Sequence, residues 1–363
     1  MKKTRVLVVN TANMGFTGIT SVIMNYVRNT FNDVNYDFVI CGRLENDIAD
    51  ELVTLGNEIM IPPYSRLRNP LAYYSWLKGI VKRNKYDVIH VHGNSGTMYI
   101  EIHAAKKMGI PVRITHCHST SCKYKLAHYV LKPFMNIELT QAIACSELAG
   151  KWLYTRSFHV LPNGIDVQNF MFSKTIRKEY REKLGINDKF VIGHVANMTY
   201  EKNHMFLLRV FKALAEENPN MILMLVGDGM LRGSIEAYIS ENDLEDNVLL
   251  LGRRSDVAQL YQCMDIFVLP SLFEGLPVTL VEAQCSGLPC IVSDHITREV
   301  DVTNNITHIG IQESDISKWK ETIINSIDNV DLIGRNKGAE ILSKSRFSIK
   351  HCVDELLEIY KYN

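Results

Sequence analysis

The residues best suited to chemistry gather between Pro270 and Ser293, in PSLFEGLPVTLVEAQCSGLPCIVS. Two carboxylates, Glu274 and Glu282, stand there with seven residues between them. Were both helical, they would lie roughly 12 Å apart, since a helix rises about 1.5 Å per residue. Carboxylates that share one glycosidic bond sit closer, about 5–9.5 Å apart. This spacing suits the two hydroxyl-bearing ends of one long ligand. Between them fall the amides of Gly275, Leu276 and Val278. A helix N-terminus presents unpaired N–H donors and a favourable dipole, a place for phosphate. The stretch therefore predicts a carboxylate for a sugar, amides for a diphosphate and a carboxylate for a ribose. Taken singly, either Glu is an ordinary surface residue; F-E-G-L-P and the second Glu together are what distinguish the stretch.

The elements that must hold these groups are readable nearby. Ile266–Leu269 is an apolar strand, and Ser271–Gly275 a polar loop. Pro277 suits the first helical position, where its missing N–H costs nothing. The helix is expected from Val278 to Ser286. Gly287 stops it and Pro289 prevents its resumption.

This stretch resembles the E-x7-E signature of family 4 retaining glycosyltransferases. PSLFEGLPVTLVEAQCSGLPCIVSD is similar in particular to the EpsF-like exopolysaccharide and capsule glycosyltransferases of bacteria. The resemblance covers nearly the whole chain. It implies an α/β architecture, the GT-B fold, with two Rossmann-like domains whose parallel sheets face each other across a cleft. Residues 1–168 would bind the acceptor and 169–345 the nucleotide sugar. A terminal helix in 346–363 would cross back to the first domain.

Composition agrees with a two-domain globular protein: 363 residues, 46% hydrophobic and 22% charged. No apolar run approaches about 18 residues, so no spanning helix is expected. The start, MKKTRVLVVN, reads as a first strand and not an export signal, because its apolar run is only Val6–Val9. The eight cysteines form no C-x-x-C and read as reduced thiols of a cytoplasmic protein. Charge is uneven. Residues 1–168 carry nineteen Lys and Arg against twelve Asp and Glu, a surplus the second half reverses. The first half is thus expected to face something anionic, through Arg66, Arg68, Lys82, Arg83 and Lys85, or Lys106, Lys107, Lys123, Lys125 and Lys132. Solvated helix faces are the plainer account of the same residues. A pI near 7.2 and the lack of a binding motif argue against nucleic acid.

Strand and helix patterns alternate along the chain, which predicts parallel sheets covered by helices. Val6–Val9 leads into a glycine-bearing loop and a helix from Ile19. Asp87–Val91 leads into His92-Gly93-Asn94, and Pro111–Thr115 into His116-Cys117-His118. Strand carboxyl ends are where open α/β sheets bind ligands. Metal ligation is the less favoured use of the histidine pair. The charged run Lys174–Lys183 suits a surface connection. In the second half, Gly227-Asp228-Gly229-Met230-Leu231-Arg232-Gly233 is spaced G-x-G-x-x-x-G, not as a dinucleotide fingerprint.

The resemblance assigns roles to these places. It puts either His116 or His118 beside the sugar and acceptor, with Gly18 in the first glycine turn. Lys202 would grip the donor diphosphate. Asn197 stands where the family usually has a second cation. Gly229 lies in the family's G-D-G-P-L turn, and Gly252-Arg253 where the base is held. Glu274, Gly275, Leu276, Pro277 and Glu282 complete the donor set. Glu274, Lys202 and the histidine are the expected catalytic residues. No Asp-x-Asp occurs, so neither metal nor other cofactor is expected. The implied partners are a nucleotide sugar, UDP-linked above all, and a glycan or undecaprenyl-diphosphate-linked acceptor. The enzyme would then work in the cytoplasm, peripheral to the inner leaflet. Two competing readings are an NAD-dependent enzyme, disfavoured by the glycine spacing, and a catalytically idle nucleotide-sugar binder, suggested by Asn197.

Overall fold

The computed structural model describes residues 3–15, 17–327 and 332–361. The chain divides into two units, residues 1–164 with 349–363, and residues 165–348. The first unit holds seven strands: β1 Thr4–Asn10, β2 Val34–Ile40, β3 Glu58–Met60, β4 Val88–Gly93, β5 Val112–Cys117, β6 Gln141–Ala144 and β7 His159–Val160. They form one parallel sheet in the order β3-β2-β1-β4-β5-β6-β7. The second unit holds β8 Phe190–Val195, β9 Met221–Val226, β10 Val248–Gly252, β11 Ile266–Leu269, β12 Cys290–Ser293 and β13 Ile306–Ile309. They are parallel in the order β10-β9-β8-β11-β12-β13. Helices cover both faces of such sheets, so the strands are continuously apolar rather than alternating. MILMLV in β9 and IFVL in β11 are buried at every position. In each unit the order reverses once, between β1 and β4 and between β8 and β11. A crevice for ligand forms at the strand carboxyl ends of such a reversal.

The last helix, Ile349–Tyr360, belongs to the first unit and packs on the helix Gly18–Thr30. It buries Ile349, Cys352, Val353, Leu356, Ile359 and Tyr360. Full burial of one such aliphatic side chain contributes about 1.5–3 kcal/mol.

Four local expectations are corrected. Strands β4 and β5 run two residues further than their sequence pattern, so His92, Gly93, His116 and Cys117 are strand residues. Lys174–Lys183 is no mere connector but the helix Lys174–Leu184. Its Arg177 and Arg181 both bind Asp265, whose Oδ2 also accepts from Val191 N at 2.8 Å. A charged sequence is helical here because its inward face pairs with a buried carboxylate. Arg66 is buried, with Nε and Nη2 donating to Glu101 at 2.6 and 2.8 Å, and it does not face an outside anion. Pro277 is the residue before the helix Val278–Cys285, with extended backbone, not its first helical residue. The helix stops where expected. Gly287 has φ +69°, and a Cβ there would lie 2.1 Å from the Arg335 carbonyl oxygen. All eight cysteines are free thiols.

Candidate functional site

In the second unit, three loops meet at the carboxyl ends of β8, β9 and β11. The loop after β8 carries Asn197 and Lys202. The loop after β9 carries Gly227 and Gly229, and the loop after β11 carries Glu274 to Pro277. Backbone bonds clip them together. Met198 N donates to Asp228 O and Leu231 N to Met198 O, both at 3.0 Å. Leu272 N donates to Glu201 O at 2.8 Å, and Asn203 Nδ2 to Pro270 O at 3.2 Å. Asn203 sits in left-handed conformation at φ +56°, which a short amide side chain tolerates best after glycine. Gly227 has φ +136°, and a Cβ on it would stand 1.9 Å from Ala196 O. The glycine run is therefore explained by loop packing.

Within this frame Lys202 Nζ donates to Glu274 Oε1 at 2.5 Å, and Ser271 Oγ donates to the same oxygen at 2.8 Å. Both side chains of the ion pair are mostly buried. Glu274 Oε2 accepts from no protein group among the described residues. The Gly275, Leu276 and Val278 amides likewise donate to none among the described residues. A carboxylate oxygen and three amides thus remain open beside one lysine.

Glu282 lies further along the helix. The Tyr261 hydroxyl stands 2.9 Å from Glu282 Oε2 and 3.1 Å from Thr279 O, so one proton serves two acceptors. Burial pushes the Glu282 carboxyl up to about 7, and the Tyr261 hydroxyl opposes that shift. Loss of solvation disfavours the charged form.

The remaining donor-set residues are spread around these loops. Asn197 is exposed and its amide has no partner among the described residues. Gly252 ends β10 with φ +63°, and Arg232 Nη1 approaches it. Arg232 Nε is bound to Glu236 at 2.7 Å, and Arg254 is bidentate to Asp256. Arg253 follows Gly252 directly. Gly18 opens the first helix of the other unit, where an added Cβ would meet no described atom.

In the first unit, His90 and His92 of β4 and His116 and His118 of β5 and its exit form a buried ladder. Ring centroids lie 4.2 Å apart for His90–His92, 4.3 Å for His116–His118 and 5.2 Å for His92–His116. His92 Nδ1 stands 2.9 Å from His118 Nε2, and His90 Nδ1 2.8 Å from the Tyr360 hydroxyl. Asn94 Oδ1 accepts from the His118 backbone N at 3.0 Å. Both candidate histidines are buried, and they differ in connection. Among the described residues neither ring nitrogen of His116 has a hydrogen-bond partner, while His118 is held at one nitrogen and at its backbone. Burial lowers all four imidazoles, to about 3 at His90 and His118. They are neutral hydrogen-bonding groups at ordinary pH.

Sequence reasoning missed Ser271, Asn203 and Tyr261 as parts of these sites, and it placed His92 and Asn94 at a ligand-binding strand end without giving either a role. The alternation His90-Val91-His92 against His116-Cys117-His118 was the signal for the ladder. Nothing in the sequence points from Tyr261 to Glu282.

Comparison with known proteins decides what family holds this geometry. The EpsF protein of Bacillus subtilis, described as a glycosyltransferase, is 35% identical over 96% of this chain and 94% of its own length. The chain belongs to the family 4 glycosyltransferases. Residues 28–169 of this glycosyltransferase match the description Glycosyltransferase Family 4, and residues 176–336 match Glycosyl transferases group 1. An Escherichia coli relative, the UDP-Gal:alpha-D-GlcNAc-diphosphoundecaprenol alpha-1,3-galactosyltransferase, is 30% identical over 77% of this chain and 76% of its own. Among solved structures, Anabaena HepE in complex with UDP and glucose aligns with a TM-score of 0.80 at 17% identity, covering 98% of both chains. WaaG, a glycosyltransferase involved in lipopolysaccharide biosynthesis, aligns at 0.74 and 16% identity, over 99% of this chain and all of its own. The glycosyltransferase has the GT-B fold, built from the two parallel Rossmann-like sheets described above.

Proposed function

We propose that this glycosyltransferase moves a sugar from a UDP-sugar to a glycan carried on a polyprenyl diphosphate, in exopolysaccharide or capsule assembly, retaining the anomeric configuration. The observation that carries this reading is the Lys202–Glu274 pair, set beside the open amides of Gly275, Leu276 and Val278. A nucleoside diphosphate needs what stands there: one cation and several N–H donors for the phosphates, and a carboxylate beyond them. The names of the relatives support the donor and acceptor, since one acts on a diphosphoundecaprenol with UDP-Gal and another is a capsular polysaccharide glycosyltransferase of Staphylococcus aureus.

As the bond from the anomeric carbon to the diphosphate oxygen breaks, negative charge grows on that oxygen. Lys202 and the amides stabilise it, preorganised and shielded from water. Glu274 Oε2 accepts from a sugar hydroxyl. The acceptor hydroxyl bonds to the anomeric carbon on the face the phosphate leaves, and its proton passes to the departing phosphate oxygen. Glu282 accepts from the ribose. His118, neutral and fixed by His92 and Asn94, orients the acceptor side.

Glu282→Ala tests the donor assignment. Leaving the ribose hydroxyls without their carboxyl partner costs about 1–3 kcal/mol, so the dissociation constant for UDP rises about tenfold in calorimetry. An unchanged constant removes Glu282 from the donor site. A catalytically idle binder, which the exposed Asn197 amide would suit, binds UDP-sugars without releasing or transferring the sugar.

A further inference from the structure

One helix of the first unit is turned inside out. Lys125–Glu138 buries only His128, Met135 and Asn136. Leu126, Tyr129, Val130, Phe134 and Ile137 are all more than half exposed, Leu126 by 81% and Ile137 by 75%. They recur at three- and four-residue steps and so make one stripe along the helix. Tyr124 extends the stripe at the N-terminal end, 50% exposed, with Lys123 Nζ 5.6 Å from its ring. An apolar stripe of this size on a surface marks a contact with something else.

The charge of the segment that carries the stripe is of one sign. Between Glu101 and Glu138 the chain carries six Lys and Arg and no acidic residue. Lys106 and Lys107 end the neighbouring helix Tyr99–Lys107 and are exposed, as are Lys123 and Lys125. Glu138, the acid at the helix end, is already matched by Lys106 and His103. An apolar stripe in a segment rich in lysine and free of acidic residues is the composition of a helix lying in a lipid interface.

We propose that the helix Lys125–Glu138 is the membrane-docking face of this glycosyltransferase, seating its apolar stripe among acyl chains and its lysines against anionic headgroups. This rests on the proposed lipid-linked acceptor, and it gives that acceptor a route. His118 precedes Lys125 by seven residues through Ser119–Tyr124. A docked helix keeps His118 near the surface from which a polyprenyl diphosphate projects.

The test is sedimentation of the full-length protein with vesicles of phosphatidylcholine containing roughly 30 mol% phosphatidylglycerol, anionic enough to attract basic segments. The parent binds these vesicles at about 50 mM salt and keeps part of the binding at about 0.5 M, where screening removes the ionic share. Leu126→Glu with Phe134→Glu lowers binding at least tenfold at both salts, while UDP affinity by calorimetry stays at the parental value. Lys123→Gln with Lys125→Gln lowers binding at low salt only. Equal vesicle binding by parent and Leu126→Glu/Phe134→Glu overturns the proposal, as does a parent that binds no vesicle. So does a parent dimer that the glutamates make monomeric without changing vesicle binding, since the stripe is then a contact between copies. Transfer to a detergent-solubilised polyprenyl-diphosphate glycan reads the proposed function separately: if it fails in the parent, that function fails whatever the vesicles show.

Discussion

The two strand-order reversals occupy the same topological place and are built in opposite ways. Between β1 and β4, the carboxyl-end residues are neutral imidazoles, stacked and buried. Between β8 and β11, they are an ion pair with unused amides around it. One topology therefore hosts two kinds of polar site, and the side chains alone choose between them. The difference can be tested by pressing on each site.

Acid has the largest expected effect, and it falls unequally. The ladder imidazoles are held below their ordinary value, to about 3 at His90 and His118. An unfolded chain takes up those protons near pH 6.5, so this stability is complete above 6.5 and is lost as pH falls below it. Each such group contributes about 1.4 kcal/mol per pH unit. Four of them at pH 5.5 cost about 6 kcal/mol by the same rule. The second unit has two comparable imidazoles, His194 and His204, held to about 4 and about 2. It also has Glu282, which acts with the opposite sign. Its carboxyl is raised to about 7, so it weakens the fold above 7 and is relieved as pH falls toward 4.5. After correction for the intrinsic exchange rate, amide protection should fall far more in β4 and β5 than in β11 and the helix after it between pH 7.5 and 5.5. A uniform fall would erase the contrast.

Glu274→Ala comes next. The carboxylate is expected to hold the sugar in the transition state, and its loss should lower turnover about a hundredfold, near 2.7 kcal/mol. It also neutralises Lys202 in the free protein. UDP should therefore bind as well or two- to threefold tighter once the lysine is released. Weaker UDP binding would mean that Glu274 serves the nucleotide.

The smallest effect belongs to Asn197→Arg. An added guanidinium beside the diphosphate turns a neutral hydrogen bond into a charge-assisted one, about 1–2 kcal/mol stronger. UDP should bind up to tenfold tighter. Arg254 and Arg232 are already engaged with Asp256 and with Glu236, so neither stands free to crowd the newcomer. Unchanged binding by titration would show that the diphosphate does not reach Asn197.

The charged site was the more readable of the two from sequence. Its groups lie close together along the chain, as Glu274 and the amides do, or at a loop with a fixed offset, as Lys202 does. Turn chemistry therefore marked Glu274 and the amides, and the family resemblance marked Lys202; the ion pair itself joins residues 72 apart in sequence. The neutral site depends on which strands lie side by side. His92 faces His116 because β4 pairs with β5 in that register, and no local pattern states the pairing. The strand ends were misjudged for a related reason. His92 and His116 look polar enough to begin loops, yet ladder pairing keeps them in strands. The charged helix Lys174–Leu184 was hidden because its burial depends on Asp265, on a distant strand edge. The glycine run at Gly227 is legible only as spacing; its close approach to Ala196 needs the folded loops.

The helix Ile349–Tyr360 completes the core of the first unit, although the chain leaves that unit at Gly164. A ribosome making this chain releases the whole second unit before that helix emerges. Until then Val22, Val27 and Phe38 lack their full cover, and His90 lacks its Tyr360 hydroxyl. The second unit, continuous in sequence, can close first. The first must wait, open to chaperones and to premature self-association, for its final piece to arrive.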